Sequence, residues 1–137
     1  FSLKKNYPSF AEFSIINPVI ISNILKNFCK IEDISIKSPN DLFIKRKKVC
    51  GILQEVVIKN DKKFLIIGIG LNILSNPSIK KNYKATNLLS ETKKKASLQK
   101  IIKMIITSYK NFFLNLNEYN FIDFKKKAES IALSQVT

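Results

Sequence analysis

The sequence predicts helices combined with an antiparallel β-meander in a single domain. Three observations carry this. From Leu42 to Ile73 the residues are rich in β-branched types and broken only by short polar turns. Before and after that stretch, apolar residues recur at helical spacing. A chain of 137 residues with 45% hydrophobic content is one domain's worth of sequence, and neither an internal repeat nor a domain linker interrupts it.

Taken in order, FSLKK reads as a short strand closed by a turn at Pro8. Asn17-Pro18 reads as a helix start, because asparagine caps and proline suits the first helical position; Val19, Ile20, Ile24, Leu25 and Phe28 then give a helix over 17–30. Ile34 and Ile36 alternate into a strand that stops at the Pro39-Asn40-Asp41 turn. LFI, VCGILQEVVI and FLIIGIGLNI follow as three strands, separated by the basic turn Lys45 to Lys48 and by Asn60-Asp61. Connections that short dictate antiparallel neighbours. SNPSIKKNYKATN is expected to be a loop. Leu98, Ile101, Ile102, Ile105, Ile106, Tyr109, Phe112, Phe113 and Leu116 mark a long helix whose stripe is core. A last helix is expected over 120–132, with SQVT as the start of a further strand.

Composition narrows the chemistry. The chain has no histidine, and Cys29 and Cys50 match no metal-ligand spacing, so a zinc site or a histidine-based catalytic triad is excluded. Both cysteines are expected to be reduced thiols. No apolar run reaches the length of a membrane span, no signal-peptide stretch opens the chain, and a cytoplasmic location is expected. The net charge of +14 would attract polyanions, yet Arg46 is the only arginine, and the abundance of Lys, Ile and Asn is what an A+T-rich genome writes at tolerant positions. The chain begins with Phe1 rather than methionine, and residues upstream are expected.

The three glycines, Gly51, Gly68 and Gly70, all fall inside strand-like runs. Glycine weakens a strand, so it marks either tight sheet packing or the close approach of a ligand to backbone. Lys37, Lys48 and Asn72 sit at neighbouring strand ends of the expected meander, which allows one sheet surface to carry cations, backbone N–H groups and an amide. Such a surface suits a carboxylate and a phosphate together. Neither a Walker loop nor a Rossmann fingerprint is present.

KSPNDLFIKRKKVCGILQEV at 37–56, IIGIGLNI at 66–73 and ATNLL at 85–89 together resemble the catalytic domain of biotin protein ligases, whose pattern is KWPND, a short hairpin, (R/K)K(L/V)xGIL, GIGxN and ATSL in that order. The resemblance implies an α+β fold with a mixed, mainly antiparallel sheet backed by helices. It implies ATP and biotin as substrates, Mg2+ accompanying ATP, biotinyl-5′-adenylate as the intermediate, and a lysine of a biotin carboxyl carrier protein as the acceptor. Attack of an already ionised carboxylate on the α-phosphate calls for charge neutralisation and positioning rather than a histidine base.

By the same resemblance Lys48 matches the lysine that contacts the biotin carboxylate and adenylate phosphate, and Lys37 the lysine near the phosphates. Asn40 and Asp41 match the polar pair of the turn, with Asp41 orienting the acceptor lysine. Gly51 matches the glycine lining the biotin site, Asn72 the asparagine of GIGxN on the nucleotide side, and Gly70 of the same motif is a further substrate-binding candidate. Ser38 stands where the family carries tryptophan, and no GRGRxGR loop is found in residues 1–137. Residues 1–137 are thus expected to form a single partial catalytic domain, with the biotin loop upstream of Phe1, a small β-domain beyond Thr137, and little activity from the chain alone. No helix-turn-helix is present, and specific DNA binding is not expected. A lipoate or octanoate transferase and a basic nucleic-acid-binding module without catalysis are the alternatives.

Overall fold

The computed structural model describes residues 1–78 and 83–134. Helix α1 (Phe10–Asn27) leads into β1 (Ile34–Lys37), β2 (Asp41–Ile44), β3 (Lys47–Lys59) and β4 (Lys62–Leu71). A two-residue strand, β5 (Lys84–Ala85), and a short helix, α2 (Leu88–Thr92), precede α3 (Leu98–Leu114), a 3-10 turn (Leu116–Glu118) and α4 (Phe121–Ser130). The sheet runs β1-β2-β3-β4 with every neighbour antiparallel, and β5 adds a parallel pairing to β3. This is the mixed, mainly antiparallel α+β sheet expected from the sequence.

Two tight turns set the register. Lys45 and Arg46 both have positive φ, at 48° and 64°, between the paired residues Ile44 and Lys47. Asn60 and Asp61 do the same, at 52° and 61°, between Lys59 and Lys62. Two left-handed residues in succession form the two-residue hairpin whose twist matches the strands. The basic turn is therefore Lys45-Arg46 alone, and Lys47 and Lys48 belong to β3, not to the loop the sequence suggested.

The helices cover one sheet face. Phe13, Ile16, Ile20, Ile24 and Leu25 of α1 pack with Ile34, Ile36, Leu42, Ile44, Cys50, Ile52 and Leu65 of the sheet, and Ile101 of α3 joins them. The first helix begins earlier than 17: Ser9 accepts from the Glu12 backbone N–H at 3.2 Å while the Glu12 carboxylate accepts from the Ser9 N–H at 2.6 Å, a reciprocal cap. Asn17 is consequently mid-helix and fully buried. Its amide donates to Gln54 Oε1 at 2.9 Å and its Oδ1 accepts from the Tyr109 hydroxyl at 2.8 Å. Pro18 also lies inside α1, not at its first turn.

Other expectations are met in part. Phe1 to Leu3 run beside β4 through one bridge, Ser2 to Phe64. In α3, Ile105, Tyr109, Phe112 and Phe113 pack on the core, whereas Leu98, Ile102 and Ile106 face outward. The presumed loop from Ser75 to Asn87 contains β5; its residues 79–82 lie outside the described residues. After α4, the backbone of Ile131 and Leu133 bonds to Ile36, so a bridge forms beside β1 just ahead of SQVT, of which 135–137 lie outside the described residues. Among the described residues no helix is long and apolar enough to cross a membrane.

Candidate active site

The sheet face turned away from the helical core carries a row of residues running across four strands. Lys37 pairs with Asp41, Asp41 with Gly51, and Gly51 with Gly70. A shift in register between Leu42 and Phe43 brings Lys48 alongside the row. Its Nζ stands 3.2 Å from Asp41 Oδ1, and both side chains are about three-quarters buried. A Cβ added to Gly51 would lie 3.6 Å from Asp41 Oδ1 and from Cε and Nζ of Lys48, so the glycine leaves its backbone open immediately beside the ion pair. Burial disfavours the Lys48 ammonium, but the Asp41 carboxylate, aided by Tyr83, outweighs it and holds the lysine above its usual pKa. On the core side of the same strand, burial above all, with the Asp41 charge adding to it, pushes the Cys50 thiol up to about 12, so it stays protonated.

Tyr83 is the residue that sequence reasoning passed over. Lys37 Nζ lies 5.5 Å and Lys48 Nζ 5.4 Å from its ring centroid, and the ring meets buried Phe43 edge-on at 5.8 Å. Two ammonium groups thus approach one aromatic ring, an attraction that orients both. Tyr83 precedes β5, and its position follows from the parallel pairing of Lys84 with Lys47 and Ala85 with Lys48.

The two asparagines brace the frame. Asn40 donates from its side-chain amide to the Ile52 carbonyl at 2.6 Å and accepts the Ile52 N–H on its backbone carbonyl at 2.9 Å, clamping the turn to β3. Asn72 donates to the Thr86 carbonyl at 3.0 Å, while its backbone N–H reaches Val49. The structure therefore brings Lys37, Asp41, Lys48, Gly51 and Gly70 together, with Asn40 and Asn72 at the margins. A cavity of about 910 Å³ opens next to the row between α1, α4 and the β1 end. Lys37, Tyr83, Arg46 and Lys125 line it, while Asp41, Lys48 and Gly51 lie outside its walls. Among the described residues no group of three acidic, cysteine or histidine side chains is placed to hold a metal.

Fold and site together define an α+β domain with an anion-receptive sheet face. Residues 4–72 match the model of the Biotin/lipoate A/B protein ligase family. That is half of the chain, and the chain belongs to this family. It is similar to the bifunctional ligase/repressor BirA of Bacillus subtilis, at 32% identity over 102 residues that span 72% of this chain and 31% of that protein. It is also similar to the apo structure of biotin protein ligase from Aquifex aeolicus, with a TM-score of 0.78 and 28% identity, over 97% of this chain and 59% of that one. The same Aquifex ligase in complex with biotin and ATP superposes with a TM-score of 0.77 and 28% identity, over 97% of this chain and 56% of that one. The chain thus spans about a third of the curated relative and somewhat over half of the solved ligase.

Proposed function

We propose that the protein serves the ATP-dependent attachment of biotin to a lysine of a biotin carboxyl carrier protein. In the first half-reaction a biotin carboxylate oxygen attacks the α-phosphate of ATP, forming biotinyl-5′-adenylate and releasing pyrophosphate. In the second, the acceptor amine attacks the acyl carbonyl, forming the amide and releasing AMP. The observation that carries this reading is the placement of Lys48 beside Gly51. A cation held above its usual pKa stands next to bare strand backbone, where a carboxylate and a phosphate brought face to face need a neutralising charge. The likeness to a ligase solved with biotin and ATP supports it.

In this reading Lys37 and Lys48 neutralise the reacting anions, and Asp41 first holds Lys48 and then, once a substrate anion takes that ammonium, orients the acceptor amine. Gly51 and Gly70 admit biotin to the strand backbone, and Asn40 and Asn72 keep the turn and the nucleotide-side strand end in place. Mg2+ enters with ATP, since Asp41 is engaged by Lys48 and offers it no prepared cage.

The test is single-turnover formation of biotinyl-adenylate, with lipoate run in parallel. Lys48→Ala is expected to lower the rate about 10²- to 10³-fold, the usual loss when one group stabilising developing charge is removed. Its Tm should change by only a few degrees, the pair it breaks being a weak one. An unchanged rate removes Lys48 from the site. Adenylation of lipoate in preference to biotin reassigns the substrate.

A further inference from the structure

Glu91, in α2, lies outside the residues singled out from the sequence. Its side chain is only 6% exposed. Oε1 receives both Lys47 Nζ at 2.6 Å and the Thr86 hydroxyl at 2.6 Å, and Oε2 lies 3.8 Å from Lys45 Nζ. Burial works against its charge, but the Lys47 and Thr86 hydrogen bonds and the two lysine charges prevail and keep the carboxyl below its usual pKa.

What these partners hold is Lys48. Lys47 and Lys48 are consecutive in β3, so their side chains leave opposite faces of the strand, and fixing one aims the other. The Thr86 N–H donates to the Lys48 carbonyl at 2.8 Å, and Ala85 is the cross-strand partner of Lys48. Three residues before Thr86, Tyr83 carries the ring that both Lys37 and Lys48 approach. Asn72 ties the end of β4 to the Thr86 carbonyl. One carboxylate thereby joins the start of β3 to β5, the two strands whose register sets the Lys48 ammonium and the Tyr83 ring relative to each other. A two-residue strand has almost no ladder of its own to hold that register.

We propose that Glu91 is a positioning residue for the Lys48 site: through Lys47 and Thr86 it locks β5 to the start of β3 and so fixes Lys48 and Tyr83 in their working geometry. The inference rests on the proposed function and names a residue that touches no substrate. Glutamine at this position keeps an acceptor for Thr86 but loses the charge that holds Lys47. Valine in place of Thr86 removes the hydroxyl at nearly constant volume, whereas serine retains it.

Three readouts on the whole protein test this: single-turnover adenylation, Tm, and the pH titration of the Lys48 ammonium resonance in ¹⁵N-lysine-labelled protein. Glu91→Gln and Thr86→Val are each expected to slow adenylation about ten- to a hundredfold, the scale of a displaced reacting group. Both should shift the Lys48 resonance, and Thr86→Ser should restore rate and resonance toward the wild type. If Glu91→Gln does not fold, the Thr86 pair decides alone. A folded Glu91→Gln or Thr86→Val protein with an unmoved Lys48 resonance and an unchanged rate overturns the proposal. If the wild type forms no adenylate the proposed function fails by itself, and the resonance still reports whether Glu91 positions Lys48.

Discussion

Replacing Gly51 by valine separates a glycine kept for packing from one kept for a ligand. The backbone there is ordinary strand, with no glycine at positive φ, and an added Cβ would meet its neighbours at 3.6 Å, an ordinary contact. Alanine should therefore fit, and by restricting the unfolded chain it should gain about 0.4–1 kcal/mol. Valine adds two methyls next to Asp41 and Lys48 and parts the ion pair. Losing a partly exposed pair of this kind costs about 0–1 kcal/mol. The strand preference of valine returns up to about 1 kcal/mol. The two nearly cancel, so Tm should stay within about 3–5 °C of wild type, the shift that 1 kcal/mol produces in a domain of this size. Biotin lying on the Gly51 backbone would be displaced by those methyls, and affinity should fall at least about a hundredfold, or about 2.7 kcal/mol. Calorimetric titration with biotin alongside thermal denaturation of the wild type, Gly51→Ala and Gly51→Val makes the comparison. A Gly51→Val protein with normal Tm and normal biotin affinity would refute the ligand-approach argument. A fall of more than about 10 °C would instead assign the glycine to packing, since it exceeds what pair and propensity together allow.

Two further predictions concern stability. Asn17→Leu leaves Gln54 Oε1 without its donor and the Tyr109 hydroxyl without its acceptor in the interior, which should cost about 2–3 kcal/mol in urea denaturation; a change below about 0.5 kcal/mol would mean the network contributes nothing net. Glu91, whose folded pKa is depressed, contributes stability that is present above the unfolded glutamate value near 4.3 and is lost as pH falls through the lower folded value. The urea midpoint of the wild type should accordingly drop between about pH 5 and pH 3 more steeply than that of Glu91→Gln, and parallel curves would contradict the assignment.

Much of the meander was legible because its information is local. Asn60-Asp61 suits two left-handed residues, and the runs on either side are β-branched, so hairpin and register follow from neighbours in sequence. The first helix was misplaced for an instructive reason. Asn17-Pro18 satisfies the local rule for a helix start, but Ser9 and Glu12 satisfy a stronger one, the reciprocal cap, and once the helix is nucleated there Asn17 is carried into the interior. What makes an asparagine tolerable there is Gln54 in β3 and Tyr109 in α3, and neither is visible from the helix sequence. The stripe of α3 was read too wide, because periodicity marks apolar positions without marking how much neighbouring surface exists to cover them. Leu98, Ile102 and Ile106 stay about half exposed.

The site divides along the same line. Lys37, Asp41, Lys48 and Gly51 share one stretch of chain, and two successive hairpins suffice to set them side by side, which is why their nearness was legible in the sequence. Tyr83 and Glu91 arrive through a parallel pairing that needs a crossover, and no local pattern announces a two-residue parallel strand. Net charge was a poor guide for the complementary reason: at +14 it weights every lysine equally. The structure ranks them by partner. Lys45 and Lys47 are committed to Glu91, while Lys37 and Lys48 gather at one ring beside open strand backbone. A cation already neutralised by a nearly buried carboxylate has little left to offer a ligand. One whose partner is a carboxylate still about a quarter exposed, in the same row, is placed to exchange that partner for an anion without leaving its place.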